Sequence, residues 1–176
     1  MDANDLARIA ALEMQSHGFR SAFGPDVWRE LASTSSKRSE PVAAVRDLRA
    51  RLWFSIDNVD TLDLDQLSWA DALPDGAVRL AVAVADVDAR VPNGGAIDSH
   101  AALNTTSVYT ASGVFPMLPL ALSNDLTSLR EGADRRAVVV EMTVDSDGAV
   151  ADPELSLATV RNHAKLDYDS VSAQDS

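Results

Sequence analysis

The residues best suited to chemistry in this sequence lie in a short acidic stretch between residues 55 and 67. It places four aspartates within nine residues, namely Asp57, Asp60, Asp63 and Asp65. Two like charges about 4 Å apart repel by roughly 1 kcal/mol in water and by several times that when partly buried. A divalent cation removes this repulsion, and oxygen-only ligands suit Mg²⁺, Mn²⁺ or Ca²⁺ rather than zinc. The alternative is a solvated acidic turn, because aspartate is common in turns.

An apolar run directly before the acids predicts the strand that positions them. The run is Leu52, Trp53, Phe54 and Ile56, and a buried strand here would deliver the acids to a loop at one end of a sheet. Asp63 and Asp65 are two residues apart, so in an extended segment their side chains point to the same side.

Further segments predict the rest of a strand-rich core. Residues 78–87 are nearly continuous in Val, Ala and Leu, which predicts a strand buried on both faces. Residues 106–110 are expected to be extended, as is the run that ends near Arg161. Asp145-Ser146-Asp147-Gly148 predicts a β-hairpin turn. The same tetrapeptide resembles the start of a calcium loop, but the regularly spaced ligands and closing glutamate are missing, so the hairpin is favoured.

Helices are predicted at both ends of the chain and once in its middle. Residues 2–16 have the apolar spacing of an amphipathic helix that stops before Gly18. Gly24-Pro25-Asp26 opens a second helix, where proline fits the first turn. Residues 96–104 and a segment from Tyr168 are also helical candidates, whereas the polar residues 33–41 predict a mobile connector.

Composition limits the classes of protein to which the chain can belong. Its 176 residues are 46% hydrophobic, enough for one globular domain with a substantial core. It has no apolar run long enough for a transmembrane helix, and its first residues lack the features of a secretion signal. The absence of cysteine excludes disulfides, thiolate metal sites and a cysteine nucleophile. We therefore expect a cytoplasmic protein.

The net charge of −12 argues against a chain that grips nucleic acid by broad electrostatics, which needs clustered Lys and Arg. Positive charge is concentrated only at Lys37-Arg38 and at the arginines at positions 46, 49 and 51. We interpret the first pair as part of a polar linker and the three arginines as an exposed face. The histidines show no metal or catalytic-triad spacing; they are His17, His100 and His163.

Several stretches in order together resemble the catalytic domain of the ribonuclease II family. Ile56-Asp57 followed by Asp63-Leu64-Asp65-Gln66-Leu67 is similar to its signature and reproduces three of four acids in register. Three more segments resemble its later motifs: Ala85-Asp86-Val87, the run from Ser107 to Leu129 that contains Pro116-Met117-Leu118-Pro119 and Leu122-Ser123-Asn124-Asp125-Leu126, and Ala164-Lys165-Leu166-Asp167-Tyr168-Asp169.

The resemblance implies hydrolysis of single-stranded RNA from its 3′ end, with release of nucleoside 5′-monophosphates. It assigns Asp57 and Asp63 as ligands of Mg²⁺, or of Mn²⁺, and Asp65 as a ligand or as the group that orients the attacking water. Gln66 would sit beside Asp65 in a weakened role. Asp60 falls outside the matched pattern and is expected to be solvated.

The resemblance also implies roles for two aromatic residues. Tyr109 and Tyr168 match positions where the family places aromatic rings against the terminal bases of RNA. Stacking on a base contributes about 1–3 kcal/mol and tolerates any sequence. The alternative for each tyrosine is core packing.

Two departures from the family pattern matter. Gln66 replaces the fourth carboxylate with a neutral amide, which binds hard cations less strongly. The family's catalytic domain is also about twice as long and is normally flanked by OB-type RNA-binding domains, so residues 49–176 are interpreted as its first half and residues 1–48 as a helical lead-in and linker. A domain cut midway exposes apolar edges, which predicts self-association or dependence on the missing segment.

The fold predicted from these observations is mixed α/β. It has an extended-strand core, two lead-in helices and the acidic loop at one end of the sheet. Two functions from different classes stay open: a metal-dependent exoribonuclease, and an inactive family member or fragment that binds RNA or a partner chain. A calcium-binding module, which rests on aspartate content alone, is disfavoured.

Overall fold

A computed structural model describes residues 3–36 and 45–172 and confirms a mixed α/β fold. The helices are α1 (Ala3–Ser16), α2 (Pro25–Ser36), α3 (Ala96–Asn104) and α4 (Tyr168–Ser172), with a π-helical turn at Leu122–Leu126. The strands are β1 (Arg46–Asp47), β2 (Trp53–Asp57), β3 (Gln66–Ala72), β4 (Val78–Ala85), β5 (Val108–Thr110), β6 (Gly113–Phe115), β7 (Asp134–Val144) and β8 (Val150–Asp167).

The chain divides into two compact units. Unit 1 contains residues 1–39 and 88–122, and unit 2 contains residues 40–87 and 123–176. Unit 1 therefore holds α1, α2, α3 and the β5–β6 hairpin, and unit 2 holds the large sheet and α4. The division of function between residues 1–48 and 49–176 stays a prediction.

The sheet of unit 2 closes on itself. Its strand order is β1-β8-β2-β3-β4-β7, and β7 also pairs with β8. Strand β8 makes this closure because it is long: residues 150–161 pair antiparallel with β7, and residues 162–167 pair in parallel with β2. Closure removes most open strand edges. The buried core consists of Trp53, Leu64, Leu67, Ala81, Ala83, Leu129, Ala137, Val139, Ala158 and Val160.

Strand β4 corrects one prediction. Ala81 and Ala83 are fully buried, but Val84 is 45% exposed and Arg79 also faces solvent. The strand is therefore buried on one face only, and only in its middle at Ala81 and Ala83, because Arg79 on that same face is exposed. The apolar run led to the wrong prediction because the sequence does not distinguish a valine on the outer face of a closed sheet from a valine in a sheet that is covered on both faces.

The predicted hairpin between residues 137 and 151 is confirmed. Strands β7 and β8 pair antiparallel across it, and the Asp145 carboxylate accepts hydrogen bonds from the amides of Asp147 and Ala149 at 2.9 and 2.8 Å. Gly148 has a φ of +82°, which favours glycine. The turn is therefore held by local hydrogen bonds of its own aspartate.

Unit 1 confirms the two lead-in helices and the helix at residues 96–104. Buried Met14, Val27 and Leu31 lie on α1 and α2, and the Glu30 carboxylate accepts a hydrogen bond from the amide of Ala96 at the start of α3. The predicted connector at 33–41 is wrong at its beginning. Residues 33–36 form the last turn of α2, where Thr34 is buried; residues 37–44, with Lys37-Arg38, lie outside the described residues.

Within the described residues, no helix is both long enough and apolar enough to cross a membrane.

Candidate functional site

The acidic residues lie at one end of the unit 2 sheet. Strand β2 ends at Asp57, residues 58–65 form a connecting loop, and β3 begins at Gln66. We call residues 57–65 the acidic loop. Asp57 is fixed by its own turn, because its Oδ1 atom accepts hydrogen bonds from the Asn58 amide at 2.7 Å and from the Thr61 hydroxyl at 2.8 Å. The predicted delivery of the acids by a buried strand is confirmed.

Leu64 determines the direction of the two following carboxylates. Its side chain is buried in the core, whereas Asp63 and Asp65 on either side of it are exposed. Alternation in an extended segment therefore points both carboxylates away from the core. The backbone carbonyl of Asp65 accepts a hydrogen bond from the Ala85 amide at 2.9 Å, which continues the β3–β4 pairing beyond Gln66 and fixes the backbone of Asp65.

The acids influence one another electrostatically. Burial by surrounding protein atoms raises the pKa of the Asp65 carboxyl, and the negative charges of Asp63 and Asp57 raise it further. Among the described residues, no Lys or Arg forms an ion pair with Asp57, Asp63 or Asp65. Within the described residues, these three carboxylates are therefore not paired directly with a basic side chain.

The donor chemistry of the acidic loop fits a hard divalent cation. Carboxylate oxygens are the ligands that Mg²⁺ and Mn²⁺ prefer. Within residues 3–36 and 45–172, however, no three His, Asp or Glu side chains converge closely enough to hold a metal ion by themselves. Mg²⁺ commonly uses only one or two protein carboxylates, with waters and substrate phosphates completing its coordination. The carboxylates therefore suit a hard cation by their chemistry, and the described residues alone do not complete its coordination.

Gln66 directly follows the acids of the proposed site, whereas Asp60 lies in the turn between them. Gln66 begins β3 opposite Val84, and its side chain is exposed directly after Asp65. Asp60 is exposed in the turn between Asn58 and Thr61, in agreement with a solvated position.

The two tyrosines are exposed, so core packing is the wrong interpretation for both. Tyr168 is 57% exposed and begins α4 directly after Asp167, which pairs with Asp57 of β2. The structure therefore brings Tyr168 to the sheet end that carries the acids. Tyr109 is 70% exposed on β5 and belongs to unit 1.

Sequence reasoning missed the side chains that hold the acidic loop. The Lys165 ammonium donates hydrogen bonds to the carbonyls of Val59 and Thr61, both at 2.7 Å. The buried Ser128 hydroxyl donates to the Leu62 carbonyl at 2.7 Å and accepts from the Leu64 amide at 3.2 Å. Both residues lie in segments that resemble the family, but no spacing rule indicates a partner more than 60 residues away in sequence.

The middle of the same sheet carries a compensated acid, because Glu141 of β7 pairs with Ala81 in the middle of β4. Glu141 is buried and forms ion pairs with Arg46 at 2.8 Å and with Arg51, whose guanidinium also lies 4.4 Å from the Trp69 ring centroid. Burial opposes ionisation of Glu141, but the two guanidiniums outweigh burial and lower its pKa. We call these four residues the Glu141 cluster. Because Arg51 is largely covered, the prediction of an exposed arginine face is wrong for that residue.

Comparison with protein families and curated relatives gives concordant matches. Residues 45–174 match the RNB domain family. The chain is 41% identical over 128 residues to Exoribonuclease 2 of Escherichia fergusonii, covering 72% of this chain and 20% of that protein. It is 35% identical over 150 residues to Ribonuclease R of Thermotoga maritima, covering 85% of this chain and 21% of that protein. The chain thus spans about a fifth of the length of these curated relatives.

A solved structure gives the same result for the fold. Mycoplasma genitalium RNase R in complex with double-stranded RNA superposes with a TM-score of 0.82 at 29% sequence identity. The match covers 92% of this chain and 29% of that chain. The similarity extends over nearly all of this chain, including segments of both compact units.

Proposed function

The chain belongs to the RNB domain family, and from this premise we propose that it carries the metal-binding acids of a 3′→5′ exoribonuclease. The substrate is single-stranded RNA, and the products are nucleoside 5′-monophosphates. The observation that carries the proposal is that Asp57, Asp63 and Asp65 lie at one sheet end and form no ion pair with a described Lys or Arg. Asp57 and Asp63 would hold Mg²⁺ or Mn²⁺, which offsets the charge that develops on the oxygens of a phosphodiester during hydrolysis.

The chain's own residues supply the remaining functions. Asp57 is oriented by its turn, so that one carboxylate oxygen is occupied by two hydrogen bonds and the other is left for a ligand. The Asp65 side chain is exposed two residues after Asp63, which suits it to orient the attacking water and accept its proton. Gln66 lies beside Asp65 and can hydrogen-bond a water or a phosphate, but it adds no negative charge.

Exposed aromatic rings provide surfaces on which bases can stack. Tyr168 lies at the sheet end that carries the acids, and Tyr109 is exposed on unit 1. Each would add about 1–3 kcal/mol of stacking without sequence preference. We assign both as RNA-binding residues.

The basic surface that grips RNA is proposed to come from outside this chain. A net charge of −12 cannot supply the phosphate contacts that such binding requires. We propose that the second half of a catalytic domain and OB-type domains supply them, and that the 176-residue chain alone self-associates or depends on those parts. We propose a cytoplasmic location, where RNA turnover takes place.

The experiment that tests this function is digestion of a 5′-labelled RNA with a 3′ extension in the presence of Mg²⁺. It compares the unmodified chain with Asp65→Asn, alone and in the longest available protein that contains it. We expect a ladder that shortens from the 3′ end, and a rate roughly 10²- to 10⁴-fold lower in Asp65→Asn.

Two further variants serve as controls. Asp60→Asn removes the same charge from the same loop outside the proposed site and should leave the rate unchanged. Gln66→Asp restores a fourth carboxylate and should raise the rate or lower the Mg²⁺ requirement. Equal loss of activity in Asp60→Asn and Asp65→Asn would contradict the site assignment, and replacement of Mg²⁺ by Ca²⁺ should abolish cleavage.

The neutral Gln66 favours a second candidate function, in which the chain binds RNA or a partner chain without cleaving it. Loss of one of four carboxylates weakens at least one cation position. Binding of RNA without cleavage by the longer protein, together with cleavage after Gln66→Asp, would support this candidate over the first.

A further inference from the structure

Lys165 holds the acidic loop without forming an ion pair with its carboxylates. Lys165 belongs to β8, and its ammonium donates hydrogen bonds to two backbone carbonyls of the loop, those of Val59 and Thr61. An ammonium offers three donors and no acceptor, so two of its donors are used by the loop. Within the described part of the chain it forms no ion pair with a carboxylate.

A second anchor fixes the other end of the loop. Ser128 is 1% exposed and bridges the Leu62 carbonyl and the Leu64 amide through its hydroxyl. The Leu64 carbonyl accepts a further hydrogen bond from the Leu129 amide at 2.7 Å. These contacts hold the segment directly before Asp65 against the core.

The segment that carries Ser128 is itself held in place. Arg135 of β7 donates hydrogen bonds to the carbonyls of Ser128 and Asp125 at 3.0 and 3.1 Å, and Asn162 of β8 donates to the Leu129 carbonyl at 3.1 Å. The loop is therefore held from two sides by side chains of β7, β8 and the segment between Asp125 and Leu129. Rigid support of this kind maintains the geometry of a ligand set.

Lys165 binds backbone carbonyls and not carboxylates, and this affects how a cation could bind the loop. An ammonium paired directly with Asp57 or Asp63 would compete with an incoming cation for the same oxygens. By binding carbonyls instead, Lys165 fixes the backbone between these two residues and leaves their carboxylates available. This separates support of the loop from neutralisation of its charge.

From these contacts we infer that Lys165 is a positioning residue for the proposed cation site, with Ser128 as the second anchor. This inference rests on the proposed function, because the benefit of a fixed loop is a fixed set of carboxylate ligands. Lys165 acts through the loop and does not contact the reacting atoms.

The test uses Lys165→Met, which keeps the length of the side chain and removes its charge. Two measurements are made on the full chain: amide hydrogen exchange of residues 58–64, and Mn²⁺ binding by titration calorimetry. We expect exchange in this segment to accelerate about tenfold or more and Mn²⁺ affinity to fall roughly 10- to 100-fold, with exchange in β3 and β4 unchanged.

Two variants control for charge and for folding. Arg79→Gln removes the same charge at the opposite end of β4, an exposed position about 20 Å along the strand from Ala85, and should change neither measurement. Ser128→Ala removes the other anchor and should accelerate exchange of Leu62 and Leu64 and lower Mn²⁺ affinity in the same direction. Ser128→Ala thus tests the inference even where Lys165→Met does not fold.

The outcomes separate this inference from the proposed function. Unchanged exchange in Lys165→Met and Ser128→Ala overturns the anchoring. Faster exchange with unchanged Mn²⁺ affinity overturns the link between anchoring and the cation site. Failure of the unmodified chain to bind Mn²⁺ counts against the proposed metal site, and exchange then decides the anchoring alone.

Discussion

Two regions of the unit 2 sheet, its middle and the end that carries the acidic loop, place carboxylates in opposite environments. In the middle, Glu141 is buried and paired with Arg46 and Arg51, and its pKa is lowered. At the end, the acidic loop receives no guanidinium or ammonium ion pair from the described residues, and the pKa of Asp65 is raised by burial and by its acidic neighbours. Glu141 is thus paired within the fold, whereas the acids of the loop repel one another and are the ones proposed to bind a cation.

The two pKa shifts have opposite consequences for stability. Glu141 has a lowered pKa in the folded state, so its contribution is present above its ordinary pKa of 4.5 and is lost as the pH falls. Asp65 has a raised pKa, so its ionised form opposes folding at neutral pH, and protonation relieves that opposition as the pH falls. Substitutions of Glu141 and of Asp65 should therefore change the free energy of unfolding in opposite directions.

The largest effect is expected from Glu141→Ala. Removing one partner of a buried ion cluster leaves two arginines without their carboxylate and costs about 3 kcal/mol or more. Urea unfolding of the chain measures this change. Glu154→Ala is the matched control, because Glu154 is 68% exposed and only 4.0 Å from Arg46, and it should cost less than about 1 kcal/mol. Equal effects of the two substitutions would remove the distinction between a buried and an exposed acid.

A buried histidine in unit 1 gives a pH-dependent effect of intermediate size. His100 is 2% exposed, packs 4.3 Å from Phe23 and lies 3.3 Å from the Asn104 amide. Burial lowers its pKa, and the charge of Arg20 lowers it further. The unfolded state binds the proton more readily, so stability should be complete above about pH 6.5 and fall progressively below it.

Thermal unfolding at a series of pH values between 7.5 and 5 checks this prediction. His100→Gln should flatten the dependence in this range, and His17→Gln, at a histidine that is 70% exposed, is the matched control substitution. A decline of the same size in His100→Gln would assign the pH dependence to other groups.

The smallest change in the free energy of unfolding is expected from Asp65→Asn in the acidic loop. Asp65→Asn removes one of several mutually repelling charges, and after allowance for screening by solvent it should stabilise unit 2 by less than about 1 kcal/mol. If Asp57 and Asp63 hold Mg²⁺ as proposed, Asp63→Asn should lose most of the rise in unfolding temperature on addition of Mg²⁺, and Asp65→Asn should keep most of it. Destabilisation by Asp65→Asn in the absence of metal would show that this acid is structurally compensated after all.

Local pattern predicted the elements well. The helices at 3–16 and 96–104, the start of the helix at 25–36, the strand that ends at Asp57 and the hairpin at 145–148 all follow from periodicity, capping and turn residues, which depend on neighbours in sequence. The buried Leu64 between Asp63 and Asp65 likewise follows from alternation. Composition predicted only a possible cation site at these acids, and the resemblance to a known family added the proposed role of each acid.

Long-range pairing decided the rest. Closure of the sheet by β8, the exposure of Val84 and the pairing of Arg51 with Glu141 depend on contacts between residues far apart in sequence. The anchoring of the loop by Lys165 depends on a separation of more than 100 residues. The sequence by itself determined which residues carry negative charge and that a strand delivers them. Only the tertiary structure decided which acids are neutralised and which are left exposed to a cation, because neutralisation depends on distances that folding creates.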